Sequence, residues 1–231
     1  MKAIRLMTAA ALTALLATAA GCSDDNDGVS PGDSIFQQYE VTVFPEGNKA
    51  AFANFRLGSA TGERVELTDG SWLMINAMTC YYQEPVSPTV PEFNYSMVIP
   101  DNHEEAIFTF RRSKDVELVN SVKLGDEKFV TLPEDIKTVA NGERIPVGLG
   151  DIAPGTVEVK LYDVSHQTLG IIDSYPATVF ADFCVFDNVP AGTYTLAADV
   201  VTVAPTKQND GTAGGTITKR ARVTRQDIKV N

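Results

Sequence analysis

Few side chains in this sequence have the types and the spacing that enzymatic chemistry requires. The chain contains only two histidines, His103 and His166, and both lie in polar stretches typical of turns between strands. Asp163, Ser165 and His166 are too close in sequence to form a catalytic triad, whose members must face one another from separate elements. No Gly-x-Ser-x-Gly motif supplies a nucleophile elbow. We therefore predict that the protein has no catalytic residues and is not an enzyme.

Metal and cofactor motifs also fail on their spacing. Residues 148–153 match a relaxed Gly-x-Gly-x-x-Ala dinucleotide motif, but Pro154 and Gly155 follow where the phosphate-binding helix must begin. The acidic residues 24–28 lack the ligand spacing of a calcium-binding loop, and no cysteine pair has the spacing of a zinc site. We expect no metal and no cofactor.

The first 21 residues have the features of a cleaved secretory signal. Two basic residues precede an apolar run over residues 6–20, which is shorter than the roughly 20 apolar residues that a membrane-spanning helix needs. The small residues Ala19, Ala20 and Gly21 stand directly before Cys22. This ending resembles the lipobox of bacterial lipoproteins. The resemblance implies that the chain is cut before Cys22 and that the Cys22 thiol is acylated. An ordinary signal peptide with a fortuitous cysteine is the alternative.

Residues 22–34 are predicted to be an acylated, disordered tether, because they contain almost no apolar residue that could offset chain entropy. Ser23 after the cysteine resembles an outer-membrane sorting signal, and the acidic residues 24–27 resemble the surface-export signal of some bacterial lipoproteins. The resemblance implies an outer-membrane protein that is held to the membrane by the lipid on Cys22. The periplasmic face and the cell surface remain alternatives.

The remaining cysteines, Cys80 and Cys184, lie far apart in the sequence and within apolar stretches. The oxidising envelope permits a disulfide between them. A free cysteine in an apolar stretch also behaves as a small buried side chain, and we favour this second interpretation.

The charge of the chain limits its partners. The formal net charge is −11, and it becomes −13 once Lys2 and Arg5 leave with the signal peptide. A strongly acidic surface argues against binding to nucleic acid or to anionic lipid headgroups.

The rest of the sequence has the pattern of β-strands. Short runs rich in β-branched and aromatic residues are separated by Gly, Pro, Asn and Asp, and no segment keeps a helical period. The pattern predicts an all-β protein with two Ig-like β-sandwich domains, residues 35–140 and 141–231. The predicted strands cover residues 39–44, 51–57, 64–67, 72–75, 79–82, 93–99, 106–110, 116–124, 128–132, 145–149, 156–162, 177–180, 183–186, 194–203 and 216–230.

The spacing of apolar residues in stretches 51–56, 65–67, 73–76 and 108–111 resembles tandem Ig-like bacterial lipoproteins. This resemblance would cover about 200 residues. It implies a fold and not an activity.

Aromatic residues cluster around a proline-rich loop that contains Pro85, Pro88 and Pro91. We expect Trp72 and Tyr81 in the core. The other three aromatic residues are either core or, if exposed, a stacking surface for sugar rings. They are Tyr82, Phe93 and Tyr95.

Basic residues crowd the last predicted strand of this acidic chain. One interpretation is a contact for an acidic partner or polysaccharide, and the other is protection of an edge strand by charge. The residues are Lys219, Arg220, Arg222, Arg225 and Lys229.

Together these features predict a lipid-anchored, non-catalytic interaction or adhesion module whose partner is an envelope protein or a glycan. A glycan-binding accessory lipoprotein is the alternative. Exposed aromatics and arginines dominate binding interfaces, so they are the candidates for the binding surface. The set is Tyr82, Phe93, Tyr95, Arg220, Arg222 and Arg225.

The lipidation site gives a direct test. We predict that Cys22→Ser blocks acylation, because the substituted hydroxyl cannot replace the thiol that carries the lipid, so the chain stays unprocessed or unlipidated. Metabolic labelling with a palmitate analogue measures the outcome, and undiminished label in the variant would contradict the assignment. Cys80→Ser serves as the control and should label like the parent chain.

Overall fold

β-strands form the regular structure of the chain in every range that the computed structural model describes, residues 34–67, 70–82, 94–113, 116–163, 173–207 and 212–231. The predicted all-β class is therefore confirmed for these residues, whose only helical segment is the 3-10 turn Pro154–Thr156. The strands are β1 (Ile35–Val43), β2 (Lys49–Leu57), β3 (Trp72–Ile75), β4 (Met78–Cys80), β5 (Tyr95–Ile99), β6 (Glu105–Ser113), β7 (Val116–Lys123), β8 (Thr138–Val139), β9 (Ile145–Pro146), β10 (Val157–Asp163), β11 (Ser174–Pro176), β12 (Thr178–Val179), β13 (Phe183–Val185), β14 (Gly192–Pro205) and β15 (Thr212–Val230).

One large sheet contains eight of these strands. Its order is β11-β10-β14-β15-β1-β2-β5, and β8 is added beside β15. The strand β14 pairs antiparallel with β15 over almost its whole length. On the other edge of β15, β1 runs parallel to it and ends where Val43 lies opposite Ala221. The last strand is therefore a central strand of the sheet.

Two smaller sheets cover one face of the large sheet. They are β4-β3-β6-β7 and β12-β13-β9. Successive side chains of a strand point to opposite faces, so residues an even number apart share a face. Ile217 of β15 lies in the core under the first small sheet, and Val223 lies in the core under the second. Both cores therefore lie on the same face of the large sheet, which is the layering of a β-sandwich.

The first core joins the large sheet to β4-β3-β6-β7. Stacked aromatic rings cross between the two layers. Tyr39 of β1 lies 4.5 Å from Phe108 of β6, and Phe55 of β2 lies 4.6 Å from Phe110, measured between ring centres. All four side chains are buried, so these pairs combine apolar burial with ring contact.

The second core contains Leu161 of β10, Leu196 of β14 and Phe186, and it begins in the sequence at Val130. The side chain of Phe129 packs against both cores. Apolar residues between 130 and 139 thus belong with the second core, whereas Ile217 belongs with the first. The domain boundary that the sequence predicts at residue 140 stays a prediction, and the last strand serves both cores.

Local predictions can be compared with these strands. The tight turn expected between β3 and β4 is confirmed, since Asn76 and Ala77 both have positive φ, 48° and 64°. The strand expected over residues 128–132 is wrong. Only Thr131 pairs there, in an isolated bridge to Gly148, because this segment is committed to packing between the two cores.

The two described cysteines are free and buried, Cys80 in the first core and Cys184 in the second. Burial raises the pKa of Cys80 to about 11 and that of Cys184 to about 12, so both thiols stay protonated at neutral pH. The interpretation as small buried side chains is confirmed.

The parallel contact between β1 and β15 tolerates no side chain at Gly215. A Cβ atom there would lie 2.1 Å from the carbonyl oxygen of Gln37 and 2.7 Å from Oγ1 of Thr206. We predict that Gly215→Ala lowers the free energy of unfolding by about 1–3 kcal/mol, as overpacking does, because backbone must move to admit the methyl group. Chemical denaturation measures this difference.

Gly155→Ala is the matched control, because no atom lies within 4 Å of the position its Cβ would occupy and its φ is not positive. An equal effect of the two substitutions would contradict the proposed close approach of β1 and β15.

Candidate functional site

The arginines predicted to form a binding surface lie instead within the protein. Arg222 is 3 % exposed and makes a two-pronged ion pair with Asp199 of β14, from Nε to Oδ1 at 2.7 Å and from Nη2 to Oδ2 at 2.8 Å. Two charges of opposite sign satisfy each other here without water. Arg222 therefore offers no surface to a partner, which corrects its assignment as a binding residue.

Arg220 extends the same cluster across neighbouring strands. Its guanidinium donates to Glu40 of β1 at 2.9 Å, to Glu158 of β10 at 3.0 Å and to Asp199 at 3.4 Å. Arg220 and Arg222 each lie an odd number of residues from the core residues Ile217 and Val223 in a regular stretch of β15, so they share the face opposite the two cores. We call Glu40, Glu158, Asp199, Arg220 and Arg222 the charged cluster.

Mutual attraction fixes the charge state of this cluster. Burial on its own would raise the pKa of Glu158, but hydrogen bonding to Lys160 and the charge of Arg220 outweigh it and hold that pKa below its usual range. Burial would likewise lower the pKa of Arg220, but the three carboxylates around it raise that pKa instead. Glu158 and Arg220 are therefore charged at neutral pH and neutralise each other inside the protein.

Arg225 joins its own strand to the segment that contains Leu132 and Pro133. Its guanidinium donates to the carbonyl oxygens of Leu132, Pro133 and Thr224, at 3.1, 3.1 and 3.0 Å. It lies on the stretch of β15 that follows the last residue paired with β1 and precedes Lys229, which pairs with β8. Arg225 thus bridges a gap between two strand partners, beside a cleft of about 290 Å³.

Neither interpretation of the basic strand holds in its original form. Edge protection is wrong, because β15 has β14 on one side and β1 or β8 on the other. Lys219 is also engaged, since its ammonium donates to the carbonyl of Lys123 at 3.1 Å and to Asp126 at 2.7 Å. Four of the five basic residues therefore join strands and loops of the same chain, namely Lys219, Arg220, Arg222 and Arg225, whereas Lys229 is exposed.

The structure decides between core and surface for Tyr95 and overturns the expectation for Tyr81. Tyr95 is 2 % exposed, its hydroxyl accepts the Leu67 amide at 2.8 Å, and its ring meets Phe55 edge-on. It is core, which corrects its assignment to a binding surface. Tyr81, expected in the core, is 74 % exposed. Phe93 lies outside the residues that the structure describes.

Tyr82 is less exposed than Tyr81 and more exposed than Tyr95. Its backbone forms an isolated β-bridge with that of Tyr95, and its ring packs edge-on against the Tyr95 ring, with 5.8 Å between ring centres. Its hydroxyl accepts a hydrogen bond from Asn94 at 3.1 Å. Tyr82 is therefore partly exposed and held in place by the core.

A further apolar surface lies on the outside of the sheet β4-β3-β6-β7. Leu73 and Ile75 of β3, like Phe108 and Phe110 of β6, point into the core. The intervening residues must point outward. Met74, Thr109 and Val119 form one row across three strands, and Ile107 lies beside this row. We call the outward residues Tyr81, Trp72, Met74, Ile107 and Val119 the outer face.

One end of the outer face is aromatic. Trp72 lies opposite Arg111, whose guanidinium is 5.6 Å from the centre of the indole ring. Leu73 of β3 pairs with Cys80 of β4. The same antiparallel register, continued by one residue, places Tyr81 opposite Trp72. Ile107, Val119 and Tyr81 are all exposed. The sequence carries a signal for this surface, because β3 is apolar on both of its faces, as strands covered on both sides are.

The possible metal-ligating side chains of the described part of the chain are dispersed. No group of three or more His, Cys, Asp or Glu residues there could hold a metal ion. His103 lies in a turn, where its amide donates to Pro100 and its carbonyl accepts from Lys49. His166 lies outside the described ranges. None of the described helices is long and apolar enough to cross a membrane.

Comparisons with protein-family models, with curated proteins and with solved structures find no match to this chain.

The charged cluster predicts a large cost for removing one of its buried carboxylates. Asp199→Asn keeps the size of the side chain but leaves Arg222 buried beside a neutral amide. We expect the free energy of unfolding to fall by about 3–5 kcal/mol, the usual range for breaking one half of a buried ion pair. Denaturant unfolding at neutral pH measures the change.

Asp151→Asn is the control for Asp199→Asn, because Asp151 pairs with Lys128 at an exposed site. Its cost should be much smaller than that of Asp199→Asn, because solvent screens an exposed pair. Similar costs at both positions would show that the buried pair contributes no more than a surface pair.

Proposed function

We propose that this protein is a lipid-anchored envelope protein that acts as a non-catalytic interaction or adhesion module, built from two Ig-like β-sandwiches. The Ala-Ala-Gly-Cys sequence at residues 19–22 supports the anchor, and the two cores on one shared sheet support the tandem arrangement. Sites held on rigid sheets suit recognition of a partner.

The outer face is the observation that carries this proposal. Exposed apolar side chains gathered in one patch mark interaction surfaces more often than isolated ones do. Here Ile107 and Val119 extend the patch that begins with Tyr81 and Trp72, and Arg111 borders it. Aromatic residues and arginine are the types that contribute most to protein interfaces. We therefore propose an envelope protein as the partner of this face.

The tyrosines and arginines that the sequence suggests do not form this surface. Tyr82 is exposed but packs against Tyr95, Tyr95 and Arg222 are buried, and Arg220 is engaged by three carboxylates. The interface we propose therefore depends on apolar contact more than on charge. Its strength should change little with ionic strength, because salt screens exposed charges and not apolar burial.

Glycan binding is the second candidate. The exposed ring of Tyr81 favours it, because an aromatic face stacks on the apolar face of a sugar ring. Salt-insensitive binding to a glycan array that is lost on Tyr81→Ala would promote this role over the first.

In-cell crosslinking tests the proposed protein interface. A photoreactive amino acid at Val119 should give adducts with one envelope protein, because the position lies within the outer face. The same probe at Val98 should give no adduct, because Val98 belongs to the large sheet and not to the outer face. Val98 is a matched control, since it is also an exposed valine. Tyr81→Ala should reduce the Val119 adduct about tenfold, as expected for an aromatic interface residue.

Adducts of equal yield from Val119 and Val98 would contradict the proposal that the outer face is the interface. The absence of any adduct from Val119 would contradict it as well. Unchanged melting temperatures of the variants exclude loss of folding as the cause.

A further inference from the structure

A second exposed aromatic group lies beside the second core, at the turn between β12 and β13. The turn is closed by the Phe180 amide, which donates to the Phe183 carbonyl at 2.8 Å. It is also tied to the neighbouring segment, because the Val147 amide donates to the carbonyl of Asp182 at 3.0 Å. These two hydrogen bonds fix the backbone that carries Phe180.

Phe180 is the outermost layer of a three-part stack. Its ring lies 4.5 Å from that of Phe183 and within 18° of parallel, and the guanidinium of Arg144 lies 4.6 Å from the centre of the Phe183 ring. Phe180 follows β12 and Arg144 precedes β9, the two strands on either side of β13, so the two groups lie on opposite faces of the Phe183 ring. Both faces of Phe183 are therefore covered, and the free face of the stack belongs to Phe180, which is 43 % exposed.

Arg144 differs from the arginines of the charged cluster. Among the described residues, its guanidinium makes no hydrogen bond and no ion pair, and its contact is with the ring of Phe183. The carboxylate of its neighbour Glu143 is occupied by the amide of Ala140 at 2.9 Å. Arg144 is exposed, so its donors face solvent beside the stack.

We propose that this stack, Phe180, Phe183 and Arg144, is a binding site for an uncharged oligosaccharide. The apolar face of a sugar ring would lie on Phe180, since its C–H groups complement the negative face of an aromatic ring. The hydroxyl oxygens of a neighbouring sugar would accept hydrogen bonds from Arg144. The Phe183 ring lies between Phe180 and Arg144, so one sugar ring cannot contact both. The ligand is therefore an oligomer and not a single sugar.

The chemistry of the chain favours a neutral sugar over other occupants. A net charge of −11 repels polyanions such as acidic polysaccharides, nucleic acids and anionic membranes, whereas an uncharged sugar is unaffected. A ligand rich in hydroxyl groups also satisfies both an open ring face and unpaired guanidinium donors. The site gives the alternative glycan-binding role a location, and it is separate from the outer face, so each can fail without the other.

Affinity electrophoresis of the full acylated chain in detergent tests the proposal. The probes in the gel are dextran, amylopectin, galactomannan and arabinoxylan, with polygalacturonate as the charged comparison. We expect at least one neutral polymer to retard the protein equally at low and high salt. Phe180→Leu keeps apolar packing but removes the ring, and it should weaken retardation about tenfold, as loss of a stacked ring does. Arg144→Ala should also weaken it.

Two variants act as controls. Phe180→Trp retains an aromatic face and should retain binding, and Val203→Ala removes an exposed apolar side chain of β14 and should have no effect. The proposal is overturned by the absence of retardation with every neutral polymer, by retardation that Phe180→Leu leaves unchanged, or by salt-sensitive binding to polygalacturonate alone. Loss of retardation in Val203→Ala as well would also count against a site at Phe180.

Discussion

The fold depends on satisfying the backbone hydrogen bonds of one long strand along both edges. Strand β15 has 19 residues and lies inside the large sheet, so each buried N–H and C=O on it needs a partner. β14 supplies one edge. The other edge is shared by β1 and β8. In the gap between them Arg225 donates to the carbonyl of Thr224 on β15 and to the carbonyls of Leu132 and Pro133 in the neighbouring segment. Both cores are built on the strand that this arrangement holds in place.

The charged cluster makes the register of that strand unambiguous. A slip by one residue exchanges the two faces of a strand. It would drive Arg220 and Arg222 into the cores and turn Ala221 and Val223 away from them. The correct register instead places Arg222 against Asp199. Since an unpaired buried charge costs several kcal/mol, the arginines select against the slipped pairing even where they add little net stability.

The sequence predicts the strands well and the fate of their side chains less well, and the reason is distance along the chain. Apolar alternation locates β2, and the Asn76–Ala77 turn locates the β3–β4 hairpin, because both depend on neighbouring residues. Whether Arg220 is exposed depends on Glu40, which lies 180 positions earlier and becomes a neighbour only through the parallel pairing of β1 with β15. No local pattern predicts that pairing.

The same limit applies to the aromatic residues, since composition places Tyr81 and Tyr95 in one cluster without saying which points inward. Alternation resolves part of it. Leu73 and Ile75 fill the core, so Trp72 and Met74 must face outward. Apolar side chains on the outward face of a strand are themselves a sequence signal of an interaction surface. Phe180 carries no such signal. Its exposure follows from the turn that closes on Phe183, which only the three-dimensional structure shows.

The path of the chain has a mechanical consequence for an anchored protein. The described part of the chain enters β1 at Ile35, and β1 runs parallel to β15, which continues into the second core. A force between an anchor at Cys22 and a partner bound beside the second core would pull β1 along β15. All the hydrogen bonds between the two strands would then bear the force together, whereas the hydrogen bonds of a hairpin pulled at its open end break one after another. A partner bound to the outer face would act through the first core instead, where Tyr39 and Phe108 join the two layers. Under the proposed anchoring at Cys22, the load would pass through β1 in both cases, so this strand would limit the force that an adhesive contact could bear.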